Sequence, residues 1–397
     1  MGRLKTVKLV LLHTSFNLFY QFFYKVFGPK KGRITLATMR SGQLNDNLAA
    51  LEQGLKTANV KPVTVFCYHY DRTLVGKVGF LLASIKALYV IARADVFVID
   101  DYFFPLYAIH KHDDNQVVQL WHAIGSLKKF GLSLPNADQS VMKPHTNYDW
   151  VLINAKSDQP AYLDAMAINQ DHVIATGSPM VDSLLNRQPQ QPRLAARRIL
   201  YSPTYRQGVQ GKQQVMGYVN NMIAACQQLT GPWELYISLH PYLKLSAMTL
   251  PSNVHIFQDA ERVKTLMPTI DLFITDYSSL SLTFSYFERP IILYTPDYDD
   301  YMQTSGFYVD YYQYLQAPHF SKAARVVDFI NQEVDHMDLS YVHELKQKTF
   351  PHQDGHNTER VVQFVEKLAG GRTLDDTTTK TNRTSHRIRT ESTAIHS

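Results

Sequence analysis

The sequence predicts an α/β protein built from two open, mostly parallel sheets in series. Three observations carry this. Short apolar strands alternate with amphipathic helical stretches from residue 33 onward. The alternation breaks once, at the proline- and glutamine-rich "NRQPQQPR" (186–193), and then restarts with the same rhythm. A chain of 397 residues, 45% hydrophobic and 19% charged, can bury two cores of ordinary size.

The first alternation runs through "RITLAT" (33–38), the helix "NLAALEQGLKTA" (47–58), and the strands "PVTVFCY" (62–68), "ADVFVID" (94–100), "VVQLWH" (117–122), "DWVLINA" (149–155) and "HVIATG" (172–177). The second runs through "RRILYSP" (197–203), a helix over 214–229, "WELYISLHP" (233–241), "NVHIF" (253–257), "DLFITDYSS" (271–279) and "PIILY" (290–294). "TERVVQFVEKL" (358–368) puts Val361, Val362, Val365 and Leu368 on one side of a closing helix. Beyond Gly371 the threonine-rich tail has almost nothing to bury and is expected to be disordered. The expected segments are an interfacial membrane-binding stretch (1–31), an N-terminal Rossmann-like domain (32–187), a C-terminal one (188–370) and the tail (371–397).

Residues 1–45 hold eight basic side chains and no acidic one. Between the basic flanks, "LVLLHTSFNLFYQFFYKVF" is too short and polar for a confident span, which needs about 20 apolar residues. His13, Asn17, Gln21 and Lys25 recur every four residues and form one stripe of a helix. Two readings stand: a helix in the interface of an acidic membrane, each nearby lysine worth roughly 1 kcal/mol, or a buried first helix of the domain. Gly28-Pro29-Lys30-Lys31 is a poor cleavage context for a signal peptide.

A net charge of +5 without basic blocks argues against nucleic acid as partner. Cys67 and Cys226 lie far apart and form no metal-type spacing, which suits a reduced compartment. Aromatic residues at 12% suit contact with sugars, nucleotides or a lipid interface.

Polar residues gather where strands end. Ser278-Ser279 open a helix after "LFITD", where they can cap it or hold a phosphate on free N–H groups. Ser202-Pro203-Thr204 and Arg206 follow another strand, and the arginine can fork onto phosphate or make an ion pair. His240 ends a third strand and is kept extended by Pro241. Open α/β sheets bind ligands at these strand ends, so the set points to a phosphorylated ligand. "DYDD" (297–300) reads equally as a divalent-ion site or a polar loop, and no metal or cofactor is assigned.

The order and wording of "QLWHAIGSLKKFG", "GSPMVDSL", "ILYSPTYRQG", "LHP", "DLFITDYSSLSLTFSYFERPIILYTPDYDDY" and "GFYVDY" resemble the CDP-glycerol glycerophosphotransferase family of teichoic acid synthesis. These stretches span about 119–311, and "SGQLNDNLAALEQGL" and "DGHNTERVVQFVEKL" extend the likeness. The resemblance implies a GT-B-like pair of facing Rossmann-type domains and transfer of a polyol phosphate from a CDP-activated donor to a hydroxyl. Ala123, Met180 and Ser238 depart from the family pattern, where a glycine, an arginine and often a basic residue stand.

The resemblance also gives roles. His122, on the first domain, becomes the general base for the acceptor hydroxyl, the alternative being a packed core histidine. His240, Thr204, Arg206, Ser278 and Ser279 become the pyrophosphate site, with Asp276 orienting His240 or the serines. Lys128 and Lys129 attract an anionic acceptor or simply form a solvated face. The expected reaction is the priming step on an undecaprenyl-diphosphate-linked disaccharide, by a peripheral enzyme on the cytoplasmic side of the cell membrane. Chain elongation, a ribitol donor, a nucleotide-sugar glycosyltransferase and a non-catalytic scaffold are the alternatives. Acceptor identity and oligomeric state stay open.

Overall fold

A computed structural model describes residues 3–70, 73–134, 137, 141–187, 196–243, 250–304 and 306–370. The expected tail (371–397) and most of the interruption at 186–193 lie outside the described residues.

Among the described residues there are two six-stranded sheets, as the two alternations predict, with one short strand, the last of the second sheet, that the sequence did not show. The first comprises β1 (Ile34–Thr38), β2 (Val63–Cys67), β3 (Val96–Ile99), β4 (Gln116–Gln119), β5 (Trp150–Ile153) and β6 (Val173–Ala175), in the order β2-β1-β3-β4-β5-β6. The second comprises β7 (Arg197–Ser202), β8 (Trp233–Ser238), β9 (Val254–Phe257), β10 (Leu272–Thr275), β11 (Ile291–Tyr294) and β12 (His319–Phe320), in the order β12-β11-β10-β7-β8-β9. The pairings among β1–β5 and among β7–β12 are parallel. The central strands β3, β10 and β11 are buried along their whole length, which is why they read as unbroken apolar runs. Each aliphatic or phenylalanine side chain so buried contributes about 1.5–3 kcal/mol.

The compact units do not follow the expected break near 187. Among the described residues, one unit holds those within 3–121, 141–152 and 357–370, and the other holds those within 122–137 and 153–356. The His122 segment therefore groups with the second unit. The closing helix Asn357–Ala369 returns to the first, where a Cβ on Gly54 would meet Thr358 Cγ2 at 2.7 Å. Strand β4 also stops at Gln119, earlier than the sequence suggested, so His122 lies beyond the strand rather than at its tip.

Helix α1 (Arg3–Phe27) carries the N-terminal stripe, which turns inward at His13, Asn17 and Gln21 and leaves Lys25 exposed. Asn17 Oδ1 accepts from the His110 N–H (2.9 Å), Gln21 Nε2 donates to the His110 carbonyl (3.0 Å), and His112 Nε2 donates to Gln21 Oε1 (2.7 Å). Phe16 and Tyr20 are buried beside these groups, and the Tyr20 hydroxyl donates to Asn115 (2.6 Å). Val10, Leu11, Leu18, Phe22 and Val26 stay exposed. After α2 (Asp46–Thr57), helix α3 (Leu74–Arg93) packs on α1 through Tyr89 against Phe23 and Phe27. Its C-terminal half is buried at Ala87, Leu88 and Ile91, while Leu74, Val75, Val78 and Leu82 are exposed. By length and composition alone, α3 is the single helix among the described residues able to cross a membrane.

Candidate active site

The loop after β4 leaves its strand through a strained elbow. Trp121 sits at φ +56°, a left-handed conformation that a bulky residue adopts only when its surroundings enforce it. Here the Trp121 N–H donates to Gln119 Oε1 and the Trp121 carbonyl accepts from Asn47 Nδ2, both at 2.8 Å. His122 follows, half-buried. The rest of the loop is tied down within its own unit. Lys128 pairs with Phe307 in an antiparallel bridge, and the Tyr308 N–H donates to the Leu127 carbonyl (2.9 Å). The Tyr308 hydroxyl donates to Ser133 Oγ (2.5 Å), and Ser126 Oγ donates to Asp158 (2.9 Å). Burial pushes the Asp158 carboxyl up to about 6, against the opposing pull of the Ser126 hydroxyl. Gly125 sits at φ +76°, and a Cβ there would run into the Leu282 side chain.

At the carboxyl ends of β7, β10 and β11 the sequence-predicted residues meet. Arg206 does not hold its fork outward. Its Nε and Nη2 donate to the two Asp297 oxygens (3.0 and 3.1 Å), Nη2 also donates to Asp276 Oδ2 (3.1 Å), and Nη1 donates to the Thr204 carbonyl (2.8 Å). The guanidinium carbon lies 4.9 Å from the Tyr277 ring centroid and 4.5 Å from that of Tyr301. Burial works against the Arg206 charge, but Asp276 and Asp297 outweigh it and raise its pKa above the ordinary value. Asp276 turns to Thr204 rather than to His240. Its two oxygens accept from the Thr204 N–H at 2.8 and 3.0 Å, and Oδ1 accepts from the Tyr277 N–H at 2.6 Å. The Tyr277 hydroxyl donates to Asp297 (3.0 Å) and the Tyr311 hydroxyl to the Asp276 carbonyl. Arg206 and Asp276 thus fix the shape of the loop that carries Thr204.

What this frame presents is a set of hydrogen-bond donors. The Thr204 hydroxyl is buried and makes no hydrogen bond to the described residues. Ser278 Oγ accepts from the Leu280 N–H (3.2 Å), the capping role, whereas the half-buried Ser279 makes no side-chain cap to its helix, Leu280–Phe284. His240 stacks on Tyr205 with centroids 4.8 Å apart. Its Nδ1 accepts from the Tyr242 N–H (3.2 Å), so the neutral ring carries its proton on Nε2. Desolvation lowers the His240 pKa, which favours that neutral donor form near pH 7.

Sequence reasoning missed Asp297, Tyr277, Tyr301 and Tyr311. Asp297 stood out only as part of "DYDD", and both its oxygens are taken by Arg206. Among the described residues no group of three or more His, Cys, Asp or Glu is arranged to hold a metal.

The architecture is that of a GT-B-like α/β transferase. Within that class the chain belongs to the CDP-glycerol:poly(glycerophosphate) glycerophosphotransferase family, which matches residues 18–367. The chain is similar to the teichoic acid ribitol-phosphate primase of Bacillus spizizenii, at 27% identity over 91% of this chain and 98% of the relative. It is similar to the teichoic acid glycerol-phosphate primase of Bacillus subtilis, at 25% identity over 72% of this chain and 76% of the relative. The solved wall teichoic acid polymerase TagF shares its fold, with a TM-score of 0.66 at 16% identity, covering 94% of this chain and 99% of that one.

Proposed function

We propose that this chain transfers glycerol phosphate from CDP-glycerol to a hydroxyl of an undecaprenyl-diphosphate-linked saccharide, releasing CMP, as the priming step of teichoic acid synthesis. The observation that carries the reading is the donor set at the ends of β7, β8 and β10 in a chain of this family. Thr204, Ser279 and the His240 Nε2–H offer neutral hydrogen bonds to a pyrophosphate on a frame that Arg206 and Asp276 hold rigid. Ser278 joins them through its hydroxyl proton. Arg206 is read here as a positioning residue, since its fork is already occupied.

The acceptor oxygen attacks the phosphorus that bears the glycerol, and its proton passes to His122. A new O–P bond forms, the bond from phosphorus to the bridging oxygen breaks, and its electron pair leaves with CMP. There is little covalent work for the protein, so positioning and charge stabilisation dominate. The donor is assigned to the second unit, which carries Thr204, His240 and Ser279, and the acceptor to the first. A ribitol donor is the second reading, favoured by the likeness to a ribitol-phosphate primase over nearly its whole length.

The test is CMP release by purified protein from CDP-glycerol and, separately, CDP-ribitol, with a lipid-linked disaccharide and product mass read out. One glycerol phosphate added supports the reading. Repeated addition makes the chain a polymerase, and turnover with CDP-ribitol alone selects the second reading. Gly125→Ala should lower turnover at least tenfold, because it strains the backbone and pushes the His122 loop off Leu282, and a misplacement of ~1 Å costs on the order of 10²-fold. Wild-type turnover in that variant would show that the loop tolerates the shift.

The exposed apolar side chains of α1 and α3, with Lys25, Lys30 and Lys31 following, support a peripheral site on the cytoplasmic face of an acidic membrane. Removing residues 1–28 should abolish co-sedimentation with acidic liposomes. Equal sedimentation of the full and shortened chains would refute a membrane role for α1.

A further inference from the structure

A second feature of the same unit has no place in the reaction so far. Beside the Thr204–Arg206 loop lies a cavity of about 640 Å³. One wall is the start of the helix Gly208–Cys226, which follows Gln207. Gln210 and Gln214, four residues apart, share one face of that helix, and Gln207, just before it, also lines the cavity. Gly211 sits among them because the helix is docked against Arg206: a Cβ there would stand 2.7 Å from Arg206 Cβ. Gln214 Nε2 donates to the Tyr218 hydroxyl (2.6 Å), which orients its carboxamide. The opposite wall holds Tyr301 and Asp300, and Lys128 Nζ lies 5.4 Å from the Tyr301 ring centroid.

The chemistry of these walls is specific. Each carboxamide both donates and accepts, as does each hydroxyl of a polyol. The charged lining balances, with Lys128 and Arg206 against Asp297 and Asp300. A second bare anion gains little from such a lining, and a neutral hydroxyl-rich chain matches it. The cavity also begins at the loop assigned above to the pyrophosphate, so a group attached to that pyrophosphate can extend into it.

We propose that this cavity binds the polyol chain of the CDP-activated donor and that Gln210 and Gln214 set which polyol is accepted. This rests on the donor assignment made under the proposed function. The experiment is calorimetric titration of the full chain with CMP, CDP-glycerol and CDP-ribitol. It compares wild type, Gln210→Ala and Gln214→Ala, with Gln213→Ala on the neighbouring helix face as control. Acceptor KM is measured in parallel. Loss of one neutral hydrogen bond weakens binding by about three- to tenfold. That loss is expected for the CDP-polyols, with a changed glycerol-to-ribitol ratio, while CMP binding and the control stay as in wild type.

An equal loss for CMP would make the cavity a nucleotide subsite and overturn the proposal. Unchanged donor binding with a raised acceptor KM would hand the cavity to the acceptor. No change in either, or the same loss in Gln213→Ala, would also overturn it. Wild-type protein that binds CMP but neither CDP-polyol would refute the donor assignment itself, and the proposal with it.

Discussion

Arg206→Met is expected to destabilise the folded protein by about 3–5 kcal/mol, the usual consequence of removing one partner from a buried ion pair. Arg206, Asp276 and Asp297 are 9%, 2% and 8% exposed, so water cannot replace the lost guanidinium. The variant leaves two carboxylates facing each other across the space between Tyr277 and Tyr301. Arg206→Lys keeps the charge but cannot span Asp297 with two parallel hydrogen bonds, and should fall between the two. Pairing Arg206→Met with Asp297→Asn should recover part of the loss by removing one orphaned charge. Denaturant unfolding of wild type and the three variants checks all of this. A deficit under about 1 kcal/mol would mean that the network is no better than an exposed pair.

That network also marks where reading the sequence stops. The strands were legible because β10 up to Ile274 and β11 are runs of hydrophobic residues followed at once by polar ones. The strand ends were legible for the same reason, and Thr204, Asp276 and Ser279 fall there. What Arg206 holds was not legible, because its partners are 70 and 91 residues away and no local pattern joins them. The stripe of α1 is a similar case. Its four-residue period is plain, but which side faces water depends on His110 and His112, about 90 residues on. Helix α3 went unread because its residues are apolar nearly all round, which erases the periodicity that identifies a helix. The elbow at Trp121 depends on Asn47 and Gln119, so the early end of β4 could not be seen either.

His122→Ala is expected to cut CMP release by about 100-fold or more while leaving the fold intact, since positioned base catalysis is worth roughly 10²–10⁴ in rate. The loop that carries the ring is held at several points. It is tied by the Asn47 bond at Trp121, the Ser126–Asp158 bond, the Lys128–Phe307 bridge and the Tyr308 contacts. A base role predicts that removing the ring leaves CDP-glycerol binding close to wild type and costs turnover far more than the thermal midpoint. A histidine that served packing instead would show the opposite split, with a lowered midpoint and turnover surviving in the folded fraction. Measuring turnover, midpoint and donor binding on one preparation separates these outcomes. An active variant would move the base elsewhere at the strand ends, and His240, already neutral and hydrogen-bonded at Nδ1, would be the next residue to replace.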